Sequence, residues 1–348
     1  MQALLLAGGE GTRLRPLTLT TPKPVMPLAG RPFLSFMLDW AQSHGVDEAI
    51  LSCGFMSDAV KLVLGDIYDG MRLRYVVEDE PLGTAGPVRL AYDEGILEER
   101  LLVLNGDVLT DIDLTAELEQ HERTGARATL ALYPVDDTSS YGVVPTGEDG
   151  AVEAFIEKGG GDAPTNRINA GVYVIERDVV ERIPAGRAVS FELEVFPSLV
   201  GNGLFGHDAA GYWIDIGTPE RYLEATWDLL AGRVSSSLPP RDETGSLVYE
   251  NCLVAGAHVG PQSVLGRHCS VGTDARVERS VLHERVHVGA DAVVVEAVLA
   301  ERVRVGERAR VGPGAVVGAG AVIEPDAILP AGSRVDPEPT VPSAEPVS

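Results

Sequence analysis

From about residue 248 onward, the chain places valine or another aliphatic residue at every sixth position, and this beat constrains the fold more than any other feature. Val259, Leu265, Val271 and Val277 are six apart, and so are Val305, Val311, Val317, Ile323 and Leu329. Glycine follows several of them, at Gly260, Gly266, Gly272, Gly306, Gly312 and Gly318. A longer period overlies the short one: SVLGRHCSVG (263–272), SVLHERVHVG (280–289) and AVLAERVRVG (297–306) recur 17 residues apart, about one coil each. One inward aliphatic per flat face, with glycine where the chain turns a corner, is what a parallel β-helix requires. Strands of a β-sandwich alternate with period two and do not hold a phase of six through two separate runs. Residues 248–334 are therefore expected to form the β-helix. The segment 335–348, with Pro337, Pro339, Pro342 and Pro346, is expected to be a disordered tail.

The stretch before the repeat has a different grammar. Residues 3–6 (ALLL), 49–52 (AILS) and 101–104 (LLVL) are short apolar runs suited to strands buried on both faces. Helix-like segments separate them; Phe33, Leu34, Met37, Leu38 and Ala41, for example, fall on one helical face. Alternation of this kind predicts a doubly wound α/β domain over 1–232, with its site at the carboxyl ends of the strands. Residues 233–247, containing Ser-Ser-Ser, Pro-Pro and a charged run, read as the linker.

Charge narrows the functional classes. With 52 acidic against 28 basic residues the net charge is −24, which argues against a nucleic-acid partner, because such surfaces must offer clustered cations to phosphate. No apolar run approaches the length of a bilayer span, and no membrane partner is expected. The apolar stretch 3–7 has no basic residues before it and runs into Gly8, so it is not a signal peptide. Cys53, Cys252 and Cys269 are too few and too scattered for a disulfide framework, which fits a reducing cytoplasm.

Against that acidic background, residues 8–24 (GGEGTRLRPLTLTTPKP) stand out. Gly8, Gly9 and Gly11 let a backbone turn tightly and bring N–H groups against a phosphate, and Arg13, Arg15 and Lys23 supply cationic charge. No Gly-Lys-Ser/Thr closes the loop and the G-x-G-x-x-G spacing is absent, so it is neither a Walker loop nor a dinucleotide fingerprint. In 76–88 (VVEDEPLGTAGPV), Gly83 and Gly86 permit close approach to a flat ligand. Five residues before Gly83 stands Glu78, a carboxylate able to accept the two adjacent donors of guanine; Glu80 could exchange roles with it. Asp107 follows the strand 101–104, where a hard oxygen suits Mg²⁺ with nucleotide phosphates completing the shell, and Asp215 in GYWIDIGTPERY (211–222) is a second candidate. Thr218 and Pro219 read as a helix cap and first helical residue.

The segment 8–24 resembles the signature of sugar-1-phosphate nucleotidylyltransferases, and closely that of mannose-1-phosphate guanylyltransferases. Further matches follow in family order: Glu157 and Lys158 in AFIEKGG, NAGVYV (169–174), and Gly142 in SSYGVV. The resemblance implies a Rossmann-like nucleotidyltransferase domain followed by a left-handed parallel β-helix. It also implies nucleotide contacts from Leu6, Ala7, Gly8, Gly9, Gly11, Thr12, Glu78, Gly83 and Thr84. Arg13, Lys23, Asp107 and Lys158 would be catalytic, with Asp107 and Asp215 holding Mg²⁺. Gly142, Glu157, Lys158, Asn169 and Gly171 would hold the sugar phosphate. One departure is Gly159, where the family carries proline after the lysine.

The implied reaction joins a nucleoside triphosphate, preferably GTP, to a sugar 1-phosphate, preferably that of mannose, in a homo-oligomer assembled through the β-helix. Three alternatives stay open at this level. The base could be uracil or thymine with glucose as the sugar. The chain could be a non-catalytic regulatory subunit. It could also be a β-helix acyltransferase using His258, His268, His283 or His287 as base.

Overall fold

Ala3, Leu4 and Leu5 are wholly buried, as are Leu102, Val103 and Leu104, because each run forms a central strand covered on both faces. The computed structural model describes residues 1–54, 56–156, 164–254 and 256–342. In chain order its N-terminal elements begin β1 (Gln2–Leu6), β2 (Pro27–Leu28), β3 (Arg31–Pro32), α1 (Phe33–Ser43), β4 (Glu48–Cys53), α2 (Ser57–Leu64), β5 (Ile67–Tyr68), β6 (Met71–Val77) and α3 (Gly86–Asp93). They continue β7 (Arg100–Asn105), β8 (Val108–Thr110), α4 (Leu114–Thr124), β9 (Ala128–Pro134), β10 (Arg167–Glu176), α5 (Arg177–Val180), α6 (Phe196–Leu199), β11 (Leu204–Asp208), β12 (Trp213–Asp215) and α7 (Pro219–Ala231).

Two compact units emerge, one of Met1–Gly9 with Met37–Trp213 and one of Glu10–Phe36 with Ile214–Ser348. The first is built on an eight-stranded sheet of order β11-β9-β10-β7-β1-β4-β6-β5. Its centre is parallel, β7 and β4 flanking β1 and β6 beyond β4, as the Rossmann-like reading requires. Strand β10 runs antiparallel to both β7 and β9, so the sheet is mixed rather than uniformly doubly wound. The chain order reverses at β1, between β4 and β7, and crevices for ligands open at the carboxyl ends of strands at such a point.

In the second unit, α7 and the hairpin β2–β3 accompany three all-parallel sheets of six, six and five strands, the arrangement of a left-handed β-helix. Leu265, Val271, Val277, Leu282, Val288 and Val294 fill its interior and are at most 1 % exposed. The paired positions Leu247, Val264, Val281 and Val298 advance by 17 residues, then Val316 and Arg334 by 18. One face of each early coil is a residue shorter, which is why the six-residue beat breaks between the two runs.

The glycines play a part different from the expected corner. A Cβ on Gly272 would lie 2.7 Å from the Ala290 nitrogen, and one on Gly318 would lie 2.6 Å from that of Pro337; these glycines let successive coils approach. The left-handed corner conformation falls two residues later, at His268, Asp274 and Arg308 as well as at Gly314 and Gly320. Arg334–Val335 and Thr340–Val341 are strands paired with Val316–Val317 and Val322–Ile323, so the coils run on past the expected end at 334. Residues 343–348 of the expected tail lie outside the described residues.

Candidate active site

In the first unit, the ends of β1 and β7 are tied together. The Gly106 N–H donates to the Leu6 carbonyl at 2.9 Å, and a Cβ on Gly106 would lie 2.5 Å from that oxygen. Only glycine fits there, and Asp107 follows it at the sheet's switch point. Ala7 donates its N–H to the Ser52 carbonyl at 2.9 Å, fixing the exit of β1. Gly9, at φ +100°, has open space where a side chain would be, which leaves its backbone accessible to a ligand.

Glu78, just beyond β6, is held against this loop: a Cβ on Gly8 would sit 2.9 Å from its Oε1. Ser52 Oγ donates to Oε1 at 2.6 Å and the Leu82 N–H donates to Oε2 at 2.9 Å. Each carboxylate oxygen keeps a further acceptor position, so the group is oriented and not consumed. Glu80 is exposed. Burial, then the Glu78 charge, pushes the thiol of Cys53 up to about 12, so this cysteine stays protonated and is no nucleophile.

The other expected contact residues also make bonds within the fold. Gly83, at φ +75°, admits the Val189 carbonyl, which would be 2.5 Å from a Cβ there. Thr84 Oγ1 donates to Glu192 Oε2 at 2.7 Å and accepts from the Phe191 N–H at 2.8 Å. Asn169 stabilises an irregularity in β10: its Oδ1 accepts from the Gly171 N–H at 3.0 Å and its Nδ2 donates to Tyr173 Oη at 2.9 Å. Gly171, at φ +75°, leaves room for Asn105, whose Nδ2 would be 2.5 Å from a Cβ. The Gly142 carbonyl accepts from the Asn169 N–H at 3.1 Å, joining that loop to β10. Glu157 and Lys158 lie outside the described residues.

Two features escaped the motif reading. Asn105 Oδ1 is buried without a hydrogen-bond partner among the described residues, two positions before Asp107. Trp213 stacks on Tyr133 at 5.7 Å, meets Tyr141 edge-on at 5.5 Å and donates Nε1–H to the Ala170 carbonyl at 2.8 Å. All three rings are partly exposed beside β10, next to Asn169 and Gly171. Their signals in sequence were local: Tyr141 precedes Gly142 in SSYGVV, and Trp213 stands two residues before Asp215.

In the second unit, Gly11 at φ +60° precedes the short helical turn Thr12–Leu14. Thr18 Oγ1 donates to the Gly11 carbonyl at 2.9 Å, and Lys23 Cβ would be 3.5 Å from a Cβ on Gly11. Arg15 pairs with Glu10 at 2.8 Å on the surface. Arg13 and Asp215 converge from the unit's two separate segments: a Cβ on Gly217 would lie 2.6 Å from Arg13 Nη2 and 3.1 Å from Asp215 Oδ2. Thr218 caps α7 and Pro219 opens it, as the local sequence indicates.

Among the described residues no group of three or more His, Cys, Asp and Glu side chains could hold a metal alone. In the first unit Asp107 and the unpartnered Asn105 oxygen are hard donors, and in the second unit Asp215 is another, each of a type that suits a cation drawing its remaining ligands from phosphate and water. His283 is buried against Tyr222, and that burial lowers it to about 4, so it offers no exposed base for acyl transfer. Among the described residues no helix is long and apolar enough to cross a membrane.

The nucleotidyl transferase family model matches residues 2–232, and a model described as the GMPPB C-terminal domain matches 247–344. Mannose-1-phosphate guanylyltransferase of Mycobacterium tuberculosis is 40% identical over 283 residues, covering 80% of this chain and 78% of that protein. Mannose-1-phosphate guanylyltransferase 1 of Arabidopsis thaliana is 35% identical over 297 residues, 80% of each. The crystal structure of HddC from Yersinia pseudotuberculosis aligns with a TM-score of 0.56 at 31% identity, covering 64% of this chain and 97% of that one. With the nucleotidyl transferase model matching residues 2–232, the chain belongs to the nucleotidyl transferase family.

Proposed function

We propose that the protein transfers the guanylyl group of GTP to mannose 1-phosphate, forming GDP-mannose and releasing pyrophosphate. The observation that carries the choice of base is Glu78, a carboxylate held in place by Ser52 and Leu82 against Gly8. Guanine presents a ring N–H and an amine side by side, which a carboxylate accepts in parallel; uracil and thymine place one donor between acceptors. The names of the relatives support both base and sugar.

A sugar-phosphate oxygen attacks the α-phosphorus in line. The new O–P bond forms as the bond from the α-phosphorus to the bridging oxygen breaks, and its electron pair leaves on pyrophosphate. No protein nucleophile takes part. Two polyanions have to be brought together, so the residues act by neutralising charge and aligning the reactants. Arg13, Lys23 and Lys158 bind phosphate oxygens, and Glu78 orients the base. Asp107 and Asp215 would hold Mg²⁺, which supplies charge neutralisation at the phosphates. Residues 1–232 carry the chemistry, and the β-helix, whose strands run from Leu247 to Val341, assembles copies of the chain in the cytoplasm. The deciding experiment measures pyrophosphate release for GTP, UTP, dTTP and ATP, each with mannose, glucose and N-acetylglucosamine 1-phosphates. GTP with mannose 1-phosphate is expected to lead; a clear preference for UTP or dTTP, or no release with any pair, overturns the proposal.

A further inference from the structure

The hairpin β2–β3 follows the glycine and lysine signature directly, and α7 follows Asp215. The signature, the hairpin, α7 and the β-helix all belong to the second unit. Tyr222, fully buried on α7, donates its hydroxyl hydrogen to the Pro27 carbonyl and lies 3.1 Å from His283 Nε2. A phenol has one hydrogen, and a carbonyl can only accept it. His283 must therefore donate from Nε2 to the Tyr222 oxygen, and this bond ties a coil of the β-helix to the hairpin through α7.

A second tie reaches the other end of the hairpin. Ala29 and Gly30 form its turn at φ 45° and 79°, consecutive left-handed residues of the kind a two-residue hairpin requires. Tyr249, from the first coil, donates its hydroxyl to the Ala29 carbonyl at 2.8 Å, and its ring fills the space where a Gly30 side chain would be. The turn is thus gripped at a position where alanine is conformationally costly.

The hairpin in turn carries Lys23. The Met26 N–H donates to the Lys23 carbonyl at 3.2 Å, and the Phe33 N–H donates to the Met26 carbonyl at 3.0 Å. One hydrogen-bonded turn therefore separates Lys23 from the carbonyl that Tyr222 holds. At the start of α7, Thr218 caps the helix beside Gly217, where Arg13 and Asp215 converge. The helix capped by Thr218, three residues after Asp215, thus also holds, through Tyr222, the segment bearing Lys23.

We propose that Tyr222, His283 and Tyr249 are positioning residues, through which the β-helix holds the signature segment so that Arg13 and Lys23 are aimed before substrate arrives. The kinetic part of the test rests on the function proposed above; the exchange part does not. Tyr222→Phe and Tyr249→Phe each remove one hydroxyl and keep the ring. In the full chain, each is expected to raise hydrogen–deuterium exchange of the amides in residues 11–26 about tenfold, with exchange in coils 280–329 unchanged. Turnover should fall about tenfold while KM for mannose 1-phosphate changes less than about twofold, because displaced phosphate-binding groups act chiefly in the transition state. Unchanged exchange in 11–26 in both variants overturns the proposal, and so does a rise spread evenly through the coils. If Tyr222→Phe does not fold, Tyr249→Phe decides alone. If the wild type releases no pyrophosphate, the function reading fails and the exchange comparison still decides the positioning role.

Discussion

At the scale of single residues, what separates Glu78 from an ordinary strand-end acid is that both its oxygens already have donors and its edge lies against Gly8. Glu78→Gln replaces one acceptor by a donor, and kcat/KM for GTP is expected to fall about 10²-fold while that for UTP falls less, measured by pyrophosphate release; equal losses would remove the base-reading role. Arg13→Ala and Asp107→Ala should each lower turnover ~10²-fold or more, as loss of one preorganised electrostatic group does elsewhere; near-normal turnover would reject these assignments. His283 makes a pH prediction. Its folded pKa is about 4, below the ordinary 6.5, because burial disfavours the cation, and the buried group facing it is the uncharged Tyr222. The unfolded chain therefore binds the extra proton first as pH falls. This contribution is complete above about 6.5 and is lost as pH drops towards 4, by roughly 3 kcal/mol. His283→Gln should flatten that part of the stability curve in chemical unfolding; an unchanged slope would contradict it. The places of Glu78 just beyond a strand and of Asp107 at a strand end were legible in sequence, because local apolar runs mark the strands. The partners of Thr84 and Asn169 were not, since these side chains bond within the fold, Thr84 with a segment more than a hundred residues away.

At the scale of elements, the repeat announced the β-helix because each coil writes its interior into the sequence with the same spacing. The role of its glycines was misread, since a corner and a coil-to-coil approach both favour a residue without Cβ, and only the structure separates them. Gly289→Ala would push a Cβ to 2.7 Å from the Glu307 nitrogen, whereas one on Gly332, at φ +72°, meets nothing within 4 Å. The first substitution should cost several times the ~1 kcal/mol of the second in thermal unfolding; equal costs would refute the close-approach account. Helix α4 makes the opposite point. Glu117 is wholly buried on the face it shares with Leu114 and His121, both carboxyl oxygens lack partners among the described residues, and burial holds its carboxyl well above the usual range. The three-and-seven spacing from Leu114 was its signal in sequence. Glu117→Met should raise stability by about 1–3 kcal/mol, and by more at pH 8 than at pH 5, because the unfolded acid ionises where the folded one does not; a loss of stability would reveal a hidden partner.

For the molecule as a whole, the order of strands along the sequence foretold a Rossmann-like sheet but not its antiparallel β10, because strand direction depends on how long connections return and not on the composition of the strand. Nor did the sequence disclose that residues 10–36 share a unit with the β-helix; the bonds responsible join positions such as Ala29 and Tyr249, separated by 220 residues. Those bonds bear on the central claim, direct transfer between two substrates aligned by fixed charges. The stereochemical course at the α-phosphorus tests it most directly. With mannose 1-phosphate and a GTP analogue of defined configuration bearing sulfur on the α-phosphorus, a single in-line displacement inverts that configuration in the GDP-mannose product, and inversion is the predicted result. Retention would mean two displacements through a covalent guanylyl-protein intermediate and would contradict the account.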